Sequence, residues 1–469
     1  MNLKNKMPIR TRFSPSPTGH IHLGNMRAAL FSVLFALKNQ GRFVLRIEDT
    51  DVQRSDDKYI QSIQVDLKWL GLNWQEGPYL QSKRGEIYEK YYHQLEMSQL
   101  IYPCFCSDQE LMLARKAQLA KGIAPRYAGT CKRLTKEEVA SHIAAGQKPA
   151  WRLLVPLEKE IEFVDLVKGK QIFHSREIGD FIVRRQDGTA SFLFCNAVDD
   201  AEMKITHVFR GEDHLTNTPR QILVLEALGL TPPSYGHLSL IVGDAGAPLS
   251  KRQGSFSIDE MRSEGYLPVA ITNYLARLGH AMSAQDLMTL DTIATHFETN
   301  QLSRSPSRFD LVQLMYWQKI AVQSLDESSL LDFLGDTVLS LVPESKRSSF
   351  VNIIKTNIAF PKEAAHWANI FFHALPRADE EKRTILHQAG TAFFNEAIQA
   401  VLLHGAIWQD ILATLQVKLN LSGKKLLMPL RIALTGEAHG PALHDIAMLL
   451  GEENMKSRLE VALKYAENL

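Results

Sequence analysis

Apolar and polar positions alternate in two distinct rhythms along the first hundred residues. Ile9 to Phe13 reads as a short strand, and Met26 to Asn39, with Ala28, Ala29, Leu30, Leu34, Phe35 and Leu37, reads as a helix with a wide apolar face that Gly41 ends. Phe43 to Asp49 is a second strand running into an acidic turn. Ile60, Ile63, Leu67 and Leu70 mark the next helix before Gly71. This βαβα order predicts a parallel, doubly wound sheet whose ligand lies beyond the carboxyl ends of its strands. The Pro/Gly-punctuated loop after the first strand and Glu48-Asp49-Thr50-Asp51 after the second both occupy such ends.

The rhythm changes between residues 103 and 200. A helix over Asp108 to Lys121 gives way to strand-like Trp151 to Val155, Ile161 to Phe163 and Phe181 to Arg185, and Gln186-Asp187-Gly188-Thr189 reads as a hairpin turn into a further strand, Ser191 to Phe194. Alternation then returns, with a strand over Ile205 to Arg210, a polar turn, and a helix from Pro219 to Leu228. The nucleotide-binding α/β domain is therefore expected to be split by an α+β insertion. From about Ile258 onward nearly every segment has a helical period.

Composition sets limits on function without choosing one. The chain has 469 residues, 45% of them hydrophobic and 22% charged, enough for several cores. No secretory h-region and no run long enough to span a bilayer is present, so a cytoplasmic location is expected. A net charge of +1 carries no nucleic-acid signal of its own. Four cysteines, three of them clustered, point to metal rather than to a disulfide framework.

The chemistry concentrates in two loops. Arg12 to Arg27, with Ser14, Ser16, His20, His22, Gly24 and Asn25, stands between a strand and a helix N-terminus, which is the build of a phosphate site. Gly246-Ala247-Pro248-Leu249-Ser250-Lys251-Arg252 is a second small-residue loop, with two adjacent cations. Alone, the second loop reads more readily as a solvated turn. Likewise Arg46, Glu48 and Asp49 alone read as a surface salt-bridge turn.

Together the loops resemble the His-Ile-Gly-His and Lys-Met-Ser-Lys-Ser signatures of class I aminoacyl-tRNA synthetases. Arg46-Ile47-Glu48-Asp49-Thr50-Asp51, Arg210-Gly211-Glu212-Asp213-His214, Asn217 to Gln221, Gly265-Tyr266-Leu267-Pro268 and Pro429 to Gly436 narrow the resemblance to glutamyl-tRNA synthetases of bacterial type. The resemblance implies a Rossmann-like class I catalytic domain over 1–103 and 193–256, and an acceptor-stem-binding insertion over 104–192. An all-α stem-contact region (257–325) and two helical anticodon-binding domains (326–380 and 381–469) would follow. It further implies a monomer that uses ATP with Mg²⁺ to join L-glutamate to tRNA(Glu).

Residue roles follow from the same likeness. His22, Asn25 and Lys251 match the catalytic positions. His22, Gly24, Asn25, Asp213, His214, Leu249, Ser250 and Lys251 match the ATP site, with Gly24 leaving room for the adenine and Lys251 following the departing pyrophosphate. Arg12, Ser14, Ser16, Glu48, Phe192, Asn196 and Arg210 match the glutamate pocket. A guanidinium can pair bidentately with a carboxylate, whereas it offers glutamine's amide NH₂ no acceptor. Phe192 stands where the family often has tyrosine, so one hydroxyl is missing.

Cys104, Cys106, Tyr127 and Cys131 resemble a zinc site of some of these synthetases, with Arg133 where relatives place histidine and Tyr127 as the substitute ligand. Buried, unmetallated thiols are the alternative. Arg431 and Leu443 match positions that meet anticodon bases. Asn357 stands about where members that accept only the glutamate tRNA carry arginine, which extends the expectation to tRNA(Gln). Arg12 with Arg210, and a helical rather than β-barrel C-terminal half, argue against the sibling glutaminyl enzyme. His22, Asn25 and Lys251 argue against a non-catalytic paralogue, and the chain is too long for the short relative that lacks an anticodon region.

Overall fold

The computed structural model describes residues 8–51, 54–243, 246–247, 249, 257–282 and 285–467. The chain divides into two compact units, one made of 1–262 and 271–311, the other of 263–270 and 312–469.

The first unit opens with β1 (Arg10–Phe13), α1 (Leu23–Lys38), β2 (Arg42–Ile47), α2 (Asp57–Trp69), β3 (Glu76–Leu80) and α3 (Gly85–Met97). A second group follows: β4 (Ile101–Cys104), α4 (Asp108–Ala120), α5 (Lys136–Ala144), β5 (Ala150–Leu153), β6 (Glu160–Asp165), β7 (Gly169–His174), the single turn α6 (Ser175–Ile178) and β8 (Phe181–Arg184). Then come α7 (Phe192–Glu202), β9 (His207–Gly211), α8 (Thr218–Ala227) and β10 (Ser234–Leu238).

Five of these strands form one parallel sheet in the order β10-β9-β1-β2-β3, with Arg12 opposite Val44 and Phe13 opposite Leu45. The order reverses direction between β1 and β9, and at such a switch point the strand ends part to leave a crevice. Of the inner strands, β2 carries the buried apolar run Phe43-Val44-Leu45 and β9 buries Val208 and Phe209, whereas the central β1, Arg-Thr-Arg-Phe, brings buried polar side chains into the sheet. The intervening segment is α+β, as expected: β4, β5 and β8 make an antiparallel sheet, and β6 and β7 a hairpin.

Two expectations need correction. Ser191 to Phe194 is not a strand, since Phe192 begins α7 and only Ala190 bridges back to Arg184. Four residues are too short a window to reveal the period. Extended to Val198, the buried positions Phe194, Cys195, Ala197 and Val198 fall on one helical face. The region after residue 257 is not purely helical either, because Ser307–Arg308 pairs in parallel with Ile241–Val242.

In the second unit, helices pack around one apolar cluster that runs from Val322 to Ala466 and includes Phe350, Phe371, Phe394, Leu430 and Leu459. That cluster draws on both of the helical domains expected from sequence. No helix among the described residues is long and apolar enough to cross a membrane.

Candidate active site

A cavity of about 640 Å³ lies at the carboxyl ends of β1, β2, β9 and β10. Its wall is assembled from the loop after β1 (Ser14, Ser16, Thr18), the first turn of α1 (Gly24, Asn25), Glu48 after β2, Phe192 and Asn196 on α7, and Arg210, Asp213 and His214 at and after β9. Arg12 lines it as well. All seven residues matched to a glutamate pocket therefore share one cavity with Gly24, Asn25, Asp213 and His214 of the matched ATP site. The alternative of a surface salt-bridge turn fails for Arg46, which is fully buried, and for Asp49, whose carboxylate accepts from the Ser82 backbone N–H at 2.8 Å.

His22 is the N-cap of α1 but provides no side-chain cap, and the first turn contains no acidic residue. The N–H groups at the start of this sixteen-residue helix thus keep their partial positive charge for an anion. A Cβ on Gly24 would meet nothing within 4 Å, so the surface there is open to a planar group. Leu249 donates its backbone N–H to Ile241, a residue of the cavity wall, at 3.3 Å. Ser250 and Lys251, with Pro248 and Arg252, lie outside the described residues.

The base of the cavity is a buried ion cluster that sequence reading missed. Arg46 Nη1 is 2.8 Å from Asp200 and its Nη2 donates to Asn196 Oδ1 at 2.8 Å. Arg12 approaches the same Asp200 carboxylate at 3.3 and 3.4 Å. Asp199 accepts from Arg84 at 2.6 Å, Tyr88 at 2.7 Å and Gln81 at 2.8 Å. Burial pushes the Asp200 carboxyl up, but Arg12 and Arg46 outweigh it and hold it below the ordinary carboxylate range. Glu48 keeps a raised carboxyl, since burial exceeds the opposing pull of Arg46 and Arg12. Asn196, Asp199 and Asp200 occupy one turn of α7. The adjacent acids inside an apolar run were the available signal, hidden by the reading of a strand over 191–194.

Arg210 differs from Arg12 in having no carboxylate in contact among the described residues. Its Nε donates to His237 Nε2 at 3.1 Å, and its Nη2 donates to Thr218 Oγ1 at 2.8 Å and to Gln221 Oε1 at 2.7 Å. Burial pushes this guanidinium down to about 10. Neither Arg12 nor Arg210 has its Nε/Nη2 edge free for a bidentate pair with a substrate carboxylate. Each holds Nε and Nη2 on protein, leaving Nη1 without an acceptor among the described residues. His214 is pushed down to about 4, first by burial and then by Arg210, so it stands neutral at pH 7 beside the Phe192 ring, whose centroid is 5.5 Å away. Arg27, also overlooked, is a buried wall residue held by the carbonyls of Leu278, at 3.0 Å, and Ser239.

The remaining sites lie elsewhere. Cys104, Cys106 and Cys131 place their sulfurs within 4.8 Å of one another. The Tyr127 hydroxyl is 3.4 Å from Cys104 Sγ and 3.5 Å from Cys106 Sγ. Sulfurs on a tetrahedral Zn²⁺ stand about 3.8 Å apart, so three thiolates and a phenolate fit such an ion. The fourth cysteine, Cys195, is fully buried, and burial pushes its thiol up. In the second unit, Asn357 is exposed and its side-chain amide donates to Thr356 Oγ1 at 3.1 Å, while Arg431 donates to the Pro441 carbonyl at 2.8 Å. Leu443 is 6% exposed and belongs to the apolar cluster, so it offers a base little more than an edge.

A cavity joining anion-binding helix N–H groups to guanidinium groups and a carboxylate can hold a nucleotide and an amino acid with an acidic side chain side by side. Comparison with known proteins agrees. The family described as "tRNA synthetases class I (E and Q), catalytic domain" matches residues 8–316, and an "Anticodon binding domain" matches residues 328–463. Glutamate–tRNA ligase 2 of Coxiella burnetii (strain RSA 331 / Henzerling II) is 47% identical over 97% of this chain and 99% of its own. Glutamate–tRNA ligase 2 of Nitrosococcus oceani is 48% identical over 97% and 98%. The crystal structure of a glutamate tRNA ligase from Elizabethkingia meningosepticum, in complex with its amino acid, superposes with a TM-score of 0.86 at 30% identity, covering 97% of this chain and 99% of that one. The chain belongs to the class I tRNA synthetases of the glutamate and glutamine (E and Q) group, among the bacterial glutamate–tRNA ligases.

Proposed function

We propose that this chain ligates L-glutamate to tRNA(Glu) in two steps. The glutamate α-carboxylate attacks the α-phosphorus of ATP and expels pyrophosphate, and a terminal ribose hydroxyl of the tRNA then displaces AMP from the glutamyl adenylate. The observation that carries this reading is the shared cavity, in which Arg12, Arg210 and Glu48 face the first turn of α1. In-line phosphoryl chemistry needs positioning and charge stabilisation more than a nucleophilic side chain. Mg²⁺ would enter on the ATP phosphates, and Asp213, an exposed carboxylate of the wall, would offer it a protein oxygen.

In this reading the Nη1 groups of Arg12 and Arg210 take the γ-carboxylate, while Glu48 and Ser16 take the α-ammonium. Asn196 fixes Arg46 and completes the polar wall, and Ser14, whose buried Oγ has no hydrogen-bond partner among the described residues, supplies one more polar contact. His22 and Asn25 hold ATP phosphates at the α1 N-terminus, and Leu249, Ser250 and Lys251 are assigned to the same nucleotide by their motif match alone. Residues 1–103 and 193–256 form the catalytic domain, 104–192 the acceptor-stem insertion, 257–325 the stem contact, and 326–380 and 381–469 the anticodon reader. Arg431, Asn357 and the edge of Leu443 meet anticodon bases, as suits recognition of unstacked single-stranded bases. The protein acts as a cytoplasmic monomer.

The exposed, short amide of Asn357, in place of the arginine of discriminating relatives, favours a second activity, charging of tRNA(Gln) with glutamate. Charging of purified glutamate and glutamine tRNAs with labelled glutamate tests both statements. Both are expected to be charged. Charging of neither refutes the function, and charging of tRNA(Glu) alone refutes the second activity.

Cys104, Cys106, Cys131 and Tyr127 would hold Zn²⁺ in the insertion, where it would act as a structural clamp. Elemental analysis is expected to find one zinc per chain, lost in Cys131→Ser together with a lower melting temperature. Metal-free protein with unchanged melting would leave these residues as unmetallated thiols.

A further inference from the structure

Arg210 is held from behind by a relay that ends in the α+β insertion. Asp165, the last residue of β6, and His237, on β10, are both fully buried. The Asp165 carboxylate is 2.6 Å from His237 Nδ1, and it also accepts from the backbone N–H groups of His237 at 3.2 Å, Val167 at 2.9 Å and Lys168 at 2.8 Å. On the other side of the ring, Nε2 lies 3.1 Å from Arg210 Nε and 2.9 Å from Thr218 Oγ1. The Tyr235 ring stacks on the same imidazole with centroids 6.1 Å apart.

A guanidinium has donors only, so Nε2 must accept and the ring hydrogen must sit on Nδ1, donated to Asp165. The imidazole is therefore neutral with its tautomer fixed. Burial and the Arg210 charge oppose a second proton on it more strongly than Asp165 favours one. This arrangement solves a problem of competition. A carboxylate touching Arg210, as Asp200 touches Arg12, would neutralise the cation that the pocket needs. A neutral imidazole orients the guanidinium without competing for it, and the acid that fixes the imidazole stands one residue further back. With Nε on His237 and Nη2 on Thr218 and Gln221, Nη1 alone is left for an incoming anion.

We propose that the Asp165–His237 pair is a positioning device for Arg210, through which the insertion helps the amino-acid pocket select a carboxylate side chain over a carboxamide. The proposal rests on the reading of Arg210 as a γ-carboxylate ligand. Neither His237 nor Asp165 touches substrate in this account.

Three measurements test it. In charging assays, His237→Ala is expected to raise the glutamate KM about tenfold or more, to leave the ATP KM within about twofold, and to lower the preference for glutamate over glutamine. His237→Gln, whose Oε1 can stand in for Nε2, should recover most of the loss. Nitrogen-15 spectra of the unaltered protein should show His237 as a neutral Nδ1–H ring at pH 7, identified by its disappearance in His237→Gln. A folded His237→Ala protein with unchanged glutamate KM, or with glutamate and ATP KM raised alike, overturns the proposal. So does a charged or Nε2–H ring at pH 7, which decides the matter even if His237→Ala fails to fold. Failure of the unaltered protein to charge any tRNA with glutamate would instead refute the function, and would be seen before any variant is made.

Discussion

Arg210→Met is expected to lower kcat/KM for glutamate by about a thousandfold while leaving the melting temperature within a few degrees. Removing one partner of a buried, hydrogen-bonded charge pair costs ~2–5 kcal/mol, and a value near 4 kcal/mol corresponds to that factor. The contrast with folding stability arises because Arg210 has no carboxylate in contact among the described residues. Burial already penalises its charge, which is why its titration is pushed down to about 10. Methionine keeps much of the volume and removes the desolvated cation, at the loss of three hydrogen bonds to His237, Thr218 and Gln221. Steady-state charging over a range of glutamate concentrations, alongside a thermal melt, checks both halves. Retention of kcat/KM within tenfold would remove Arg210 from the glutamate pocket.

The second large effect concerns Lys251, which lies outside the described residues and whose role rests on the Pro248-Leu249-Ser250-Lys251-Arg252 motif. Lys251→Ala is expected to slow glutamate activation ~10²- to 10³-fold with little change in the glutamate KM. A donor aimed at charge that grows only in the transition state contributes roughly 3–4 kcal/mol, and its loss appears in kcat rather than in ground-state binding. Exchange of labelled pyrophosphate into ATP isolates this step. An unchanged exchange rate would exclude Lys251 from the chemistry.

These two predictions draw on different parts of what could be read from the chain. The parallel sheet was legible because strand-like and helical segments alternate, β2 carries an apolar run, and the flanking helices repeat at three and four residues. The cavity residues were legible because a loop rich in glycine, serine and histidine before a helix has few purposes besides holding an anion. What escaped was the machinery behind those residues. Asp200 and Asp199 sit inside an apolar run, and only when α7 is recognised as a helix do they fall within a turn of Asn196. His237 and Asp165 are 72 residues apart, brought together by the β6–β7 hairpin packing on β10, and no local period records such a meeting. The burial of Leu443 in the apolar cluster was not legible either, and it leaves an edge of the side chain for the base contact that its motif position implies.

The cluster of Arg12, Arg46 and Arg84 with Asp199 and Asp200 also constrains how this protein can change over time. Deleting Asp200 strands Arg12 as a buried cation without its carboxylate, which costs about 3–5 kcal/mol, a large share of what a domain has to lose. Replacing the whole group with apolar side chains could preserve folding, but Arg12 would then be missing from the wall of the cavity. Single steps out of the arrangement are blocked by instability, and the concerted step is blocked by loss of the pocket. The cluster should therefore behave as an evolutionary ratchet, its members drifting together or not at all.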